Sequence, residues 1–206
     1  MPDAYSNIHL IVRWLHVIAG ITWIGHLYFF NFVNVPLQGS LDDATKKAVN
    51  PQLMPRALWW FRWGAMITLL AGLTLFVLTY FYTPGAGFGA TSLLMDADGI
   101  TDRAMWILFG MLLGIIMWFN VWFVIWPIQK KLLTGKVPAD QVPAARKKAL
   151  LASRINTFLS GPMLFGMLAP AHYGTMSFGA LLLALGLGVL AIWFSIKSSS
   201  RVGKPA

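Results

Sequence analysis

Apolar residues run along this chain in blocks of about twenty, separated by short polar segments. A membrane-crossing helix needs about 20 mostly apolar residues. The pattern predicts five such helices, over residues 8–34, 58–82, 104–126, 150–171 and 174–196. The first is interrupted by Arg13, and the fourth begins beside Arg154, whose side chain can snorkel to the interface. The expected fold is an all-α integral membrane protein, one domain over residues 1–206, with a flexible tail at 198–206.

Composition agrees with this pattern. Hydrophobic residues make up 57% of the 206 residues and charged residues 11%, where a soluble domain carries about a quarter charged. Mean hydropathy is +0.65. An ordinary soluble globule and a disordered chain are excluded. There is no cysteine, so disulfides, thiolate metal sites and covalent c-type haem are excluded as well.

The net charge of +9 acquires a different meaning once the charges are sorted by loop. Lys46, Lys47, Arg56 and Arg62 lie between the first two spans. Lys130, Lys131, Lys136, Arg146, Lys147, Lys148 and Arg154 lie between the third and fourth, and Lys197, Arg201 and Lys204 follow the fifth. Asp3, Asp96, Asp98 and Asp102 fall on the opposite side. The positive-inside rule then puts the N-terminus outside and the C-terminus in the cytoplasm. Topology accounts for the basic excess, so nucleic acid is not an expected partner. Met1-Pro2-Asp3 lacks the positive region of a signal peptide, and the first helix is expected to be retained. Trp59, Trp60, Trp63, Trp122 and Trp126 cluster where the basic loops begin and read as interfacial anchors.

Between spans, residues 35–57 hold Pro36, Pro51 and Pro55 and read as a structured connection. Residues 83–100 are glycine-rich, without a phosphate-loop lysine. A faint echo joins Pro36-Leu37-Gln38 and Pro127-Ile128-Gln129, each ending a span on the basic side.

Ionisable groups inside spans are functional candidates by default. His9, His16, His26 and His172 all lie in or at spans, with Arg13 among them. His9 and His16 are seven residues apart, so they point within about 20° of one another. His172 is expected at the outer end of the fourth span, near the depth of His9. Two imidazoles from different helices suit the axial positions of haem b. The expected ligands are His16 and His172, with His9 as an alternative and Arg13 pairing the propionates. Gly20, Gly25, Gly161 and Gly166 would flank the macrocycle. Copper is the alternative, held by His9, His16 and His172, more weakly by His26, with thioether from Met163, Met167 or Met176. Against these stands the plain reading that membrane histidines and asparagines hydrogen-bond across helices, and that Asn31, Asn34, Asn120 and Asn156 are such glue. All seven acids lie in loops or at helix ends, which disfavours a proton-driven transporter.

Four strings carry a family resemblance. They are Arg13-Trp14-Leu15-His16-Val17-Ile18-Ala19-Gly20-Ile21-Thr22-Trp23-Ile24-Gly25, Trp60-Phe61-Arg62-Trp63-Gly64-Ala65, Asn120 to Lys131, and Ser153 to Phe165 with His172 beyond. In this order they resemble the N-terminal membrane domain of the bacterial membrane-bound urate oxidases, in a short form without the cytochrome c domain. The resemblance implies a bacterial inner-membrane protein linked to electron transfer. The implied partners are membrane lipids and a separate cytochrome c or quinone, or the subunits of a larger respiratory or oxygenase complex. His16 and His172 are the positions that match the family pattern. Three functions stay open: a haem b electron-transfer subunit, a cofactor-free accessory subunit, and a copper-binding protein.

Overall fold

A computed structural model describes residues 3–202. Five long helices form an antiparallel bundle: α1 (Ala4–Ser40), α2 (Asp43–Tyr80), α3 (Asp102–Leu133), α4 (Val142–His172) and α5 (Phe178–Ser199). Four of them, α1, α2, α3 and α5, are long and apolar enough to cross a membrane. The fourth span expected from the sequence falls within α4. Its apolar run is diluted by Arg146, Lys147, Lys148 and Arg154 and then by Asn156, Thr157 and Ser160. That composition suits its position, because α4 lies at the centre of the bundle, with Ala149, Asn156, Thr157, Ser160, Met163 and Ala169 all buried.

Four of the five helix starts carry a capping side chain. Asp3 accepts from the Ser6 amide at 2.7 Å, Asp42 from Thr45 at 2.8 Å, Thr101 from Ala104 at 3.1 Å and Ser177 from Ala180 at 3.1 Å. Each cap satisfies an amide that the first turn leaves without a partner. The backbone amides hold the Asp3 and Asp42 carboxyls below the ordinary carboxylate range. Those two caps therefore contribute above that range and weaken as pH falls through the lowered values.

The connection expected over 35–57 is almost wholly helical. α1 continues to Ser40, only Leu41 and Asp42 break the chain, and α2 runs through Pro51 and Pro55. The two arms are tied by Gln38 and Asn50, whose amides exchange hydrogen bonds at 2.9 Å in both directions. At the opposite end, residues 82–100 fold into two small hairpins. β1 (Tyr82–Thr83) pairs with β2 (Gly87–Phe88), and β3 (Met95–Asp96) pairs with β4 (Gly99–Ile100). Gly87 and Gly99 have φ of 88° and 120°, a backbone region that a side chain would disfavour. Part of the expected flexible tail is ordered, because α5 continues through Ser199; residues 203–206 lie outside the described residues.

The sequence echo has a structural counterpart. α1 widens into a π turn at Phe29–Asn34, and α3 does so at Asn120–Ile125. Each turn closes with an amide bonded five residues back, Val35 to Phe30 and Trp126 to Val121. A proline follows at once, Pro36 or Pro127. Proline cannot donate to the carbonyl four residues earlier, and its ring crowds that carbonyl. A wider turn relieves the crowding. For Pro36 that carbonyl belongs to Phe32, and the Ser199 hydroxyl of α5 donates to it. The C-terminal turn of α5 is thereby pinned to the π turn of α1.

Close approach of helices depends on glycine. A Cβ on Gly166 would lie 2.9 Å from Gly110 backbone atoms, and one on Gly161 would lie 2.5 Å from the Gly188 carbonyl oxygen. Trp23, Leu27, Phe30, Phe61, Met117, Val121 and Met163 belong to the largest buried cluster, shared by α1, α2, α3 and α4.

Candidate functional site

Three polar groupings lie within the bundle. The first is the seam between α1 and α2. One face of α1 presents Tyr5, His9 and His16 to α2. The Tyr5 hydroxyl donates to the Leu78 carbonyl at 2.7 Å, His9 Nε2 lies 3.0 Å from Thr79 Oγ1, and His16 Nδ1 lies 2.9 Å from the Thr68 carbonyl. The His16 ring fills the space above Gly72, where a Cβ would come within 2.8 Å of its Cε1 atom. With Nδ1–H donating to a carbonyl, Nε2 keeps its lone pair, the arrangement common in ligating histidines.

The other expected site residues lie elsewhere. Arg13 is exposed on α1. His26 bonds through Nδ1 to the Thr22 carbonyl at 2.7 Å and lines a surface groove between α1 and α2. His172 is exposed in the last turn of α4. Nearby, Trp106 of α3 donates to the Thr175 carbonyl at 3.2 Å and stacks edgewise on Tyr173. Tyr80 and Ala104 pack together at the same end of the bundle. Thr68 lies about 18 Å deeper along α2 than Tyr80, from the helical rise. His16 and His172 thus sit at different depths, and no described contact joins them. Among the described residues, no group of three or more His, Asp or Glu is placed to hold a metal ion.

The glycines expected beside a macrocycle are partly used for packing. Gly161 and Gly166 face the backbones of Gly188 and Gly110, Gly20 faces Thr68, and Gly25 meets nothing within 4 Å. Met163 is buried in the core and Met167 packs against it.

The second grouping is a buried polar centre around α4. Tyr28 and Ser160 hydroxyls meet at 3.0 Å, and Asn31 donates to Ser153 Oγ at 2.8 Å. Asn120 donates to Asn156 Oδ1 at 2.8 Å, and Asn156 donates onward to the Met117 carbonyl at 2.9 Å. Asn31 and Asn120 project from the two π turns and converge on the same helix. The amides bridge helices, as their plain reading expected. Asn31 Oδ1 and Arg154 Nη1 are buried there with no hydrogen-bond partner.

The third grouping was not legible as a site. Arg62 counted as one more basic-loop charge, and Trp122 and Trp126 as interfacial anchors. Instead the Arg62 guanidinium lies 3.9 Å from the Trp126 ring centroid, 5.7 Å from Trp122 and 5.8 Å from Trp63. Trp122 also donates to the Arg62 carbonyl at 3.2 Å. The available signal was compositional, an arginine flanked by tryptophans on facing spans. For a partly exposed guanidinium such cation–π contacts contribute about 1 kcal/mol. Trp126→Ala is expected to lower stability by about that much in thermal unfolding in detergent, and Arg62→Lys by less, since guanidinium stacks better than ammonium.

The geometry defines an all-helical membrane bundle whose polar residues mostly tie helices together. The chain belongs to the urate oxidase N-terminal family, which matches residues 3–46, 38–95 and 89–198. No curated protein and no solved structure matches it.

Proposed function

We propose that this chain is a membrane-embedded accessory subunit of a redox assembly, with the cofactor carried by a partner. It crosses a bacterial inner membrane five times with its basic loops in the cytoplasm. The family relation supports a link to an oxidase. The single observation that carries the accessory role is the histidine placement. His9 and His16 are bonded into the α1–α2 seam, while His172 stands exposed at the end of α4. One haem gripped by His16 and His172 does not fit that arrangement, and a copper site built from the same residues fits no better.

A second reading has one observation in its favour. His16 Nε2 is unbonded and its tautomer is fixed by Thr68, which suits a single axial ligand to haem b. The two readings separate in one preparation of the full chain from native membranes. The accessory role predicts no stoichiometric Soret band and a co-purifying redox subunit that survives His16→Ala. One haem per chain, lost in His16→Ala while the fold persists, would overturn the accessory role and establish the second reading.

A further inference from the structure

We infer that the groove between α1 and α2 at the basic end binds the phosphate headgroup and upper acyl chain of one anionic phospholipid. The groove holds about 540 Å³. Toward the basic end it is lined by Ile21, Gly25, His26 and Phe29 on α1, and by Trp60, Arg56 and Leu53 on α2.

Its chemistry is graded along that depth. Ile21 and the half-exposed Trp60 make an apolar wall at the level of the tryptophan cluster. Arg56 follows one helical turn nearer the basic end. It bonds only to the Gln52 carbonyl of its own helix, leaving donors free. The one ion pair among the described residues is Lys46–Asp43, so no carboxylate neutralises Arg56. His26 has its Nδ1 committed to the Thr22 carbonyl at 2.7 Å, which leaves the Nε2 edge of the ring facing the groove. The floor is low because residue 25 is glycine. A Cβ there would meet nothing within 4 Å, so the space beside it is open rather than packed. An apolar slot that ends in an uncompensated guanidinium beside an imidazole complements a lipid carrying both tail and phosphate. Basic pockets between spans on the cytoplasmic side recognise such headgroups. A soluble phosphate would use Arg56 and His26 but would leave the apolar wall unfilled.

The test is native mass spectrometry of the purified full chain. It is equilibrated with phosphatidylglycerol and phosphatidylcholine of identical acyl chains, with and without excess inorganic phosphate. The wild type is expected to retain one phosphatidylglycerol about fivefold in preference to phosphatidylcholine, the scale set by one basic residue at an anionic surface. Arg56→Gln is expected to reduce that ratio toward one. Gly25→Leu fills the slot and is expected to remove the tightly held lipid at an unchanged unfolding temperature. If Gly25→Leu fails to fold, the Arg56→Gln ratio decides alone. Equal retention of both lipids by the wild type, displacement by inorganic phosphate, or an unchanged preference in Arg56→Gln would each overturn the inference. None of these outcomes bears on whether a redox partner co-purifies.

Discussion

Gly188→Ala is expected to unseat α5 from α4. A Cβ at position 188 would lie 2.5 Å from the Pro162 nitrogen, 2.6 Å from Pro162 Cδ and 2.8 Å from the Gly161 carbonyl carbon. Two of these are backbone atoms and the third belongs to a rigid ring, so no rotamer change relieves the contact. Overpacking costs about 1–3 kcal/mol where side chains can yield, and a backbone clash belongs at the upper end, about 3 kcal/mol. The helix itself should survive, because a lipid environment preserves backbone hydrogen bonding within each helix. What is lost is docking. Ala180 and Ala169 pack in one cluster across the α4–α5 contact, each eight residues from the Gly188–Gly161 approach. The chain has no native cysteine, so cysteines introduced at these two positions should cross-link in the parent and not in the Gly188→Ala protein. Gly186 supplies the control, since a Cβ there meets nothing within 4 Å. Gly186→Ala should cross-link and unfold like the parent. Indistinguishable behaviour of the two alanine variants would remove the close α4–α5 contact from the fold.

The pair also shows what a sequence reveals in a membrane protein. Apolar runs mark spans because lipid contact needs only composition, and α2, α3 and α5 follow directly from theirs. In α5, Gly179, Gly186 and Gly188 look alike in the sequence until a neighbour is placed beside them. Only Gly188 meets another helix backbone. Prolines misled in the opposite direction. Pro51 and Pro55 read as loop residues, but α2 runs through both, with the Gln38–Asn50 amide pair holding that stretch against α1. The proline echo at Pro36 and Pro127 was visible, while the π turn preceding each was not, because the accommodation is made by backbone carbonyls that carry no residue-type signal.

The histidines show the same limit. Periodicity correctly put His9 and His16 on one face of α1. It could not say that the face meets α2, where Thr68 and Thr79 engage the rings. Equal depth along two helices is not adjacency. The seam joins α1 to α2, whereas the polar centre is where α1 meets α4, through Tyr28–Ser160 and Asn31–Ser153. Those contacts lie toward the basic end, away from both His9 and His172.

Asn156→Leu should be the most damaging change at that polar centre. Asn156 is fully buried, accepts from Asn120 and donates to the Met117 carbonyl. Leucine has nearly the same size, so no large cavity enters the balance, and the effect measures polar satisfaction. Side-chain hydrogen bonds between membrane helices contribute about 0.6 kcal/mol on average and up to about 1.7. Two are lost. The Asn120 amide, on a half-buried side chain, is also left without its partner, which costs about 1 kcal/mol more, the low end for an unsatisfied group. A total of about 2 kcal/mol follows from these two terms, read as a loss of thermal stability in detergent. Asn120→Ala should cost less, because Asn156 still donates to Met117 and loses only a donor to its oxygen. The double variant Asn120→Ala/Asn156→Leu should therefore be more stable than Asn156→Leu alone, since it removes the orphaned amide. That rescue discriminates a dry bridge from a hydrated one. If water reaches the Asn120 amide, Asn156→Leu costs only its own two bonds, the rescue vanishes, and the single effects add. A dry bridge makes α4 the rigid member that fixes the π turns of α1 and α3 relative to one another, and with them the faces this bundle offers to a partner.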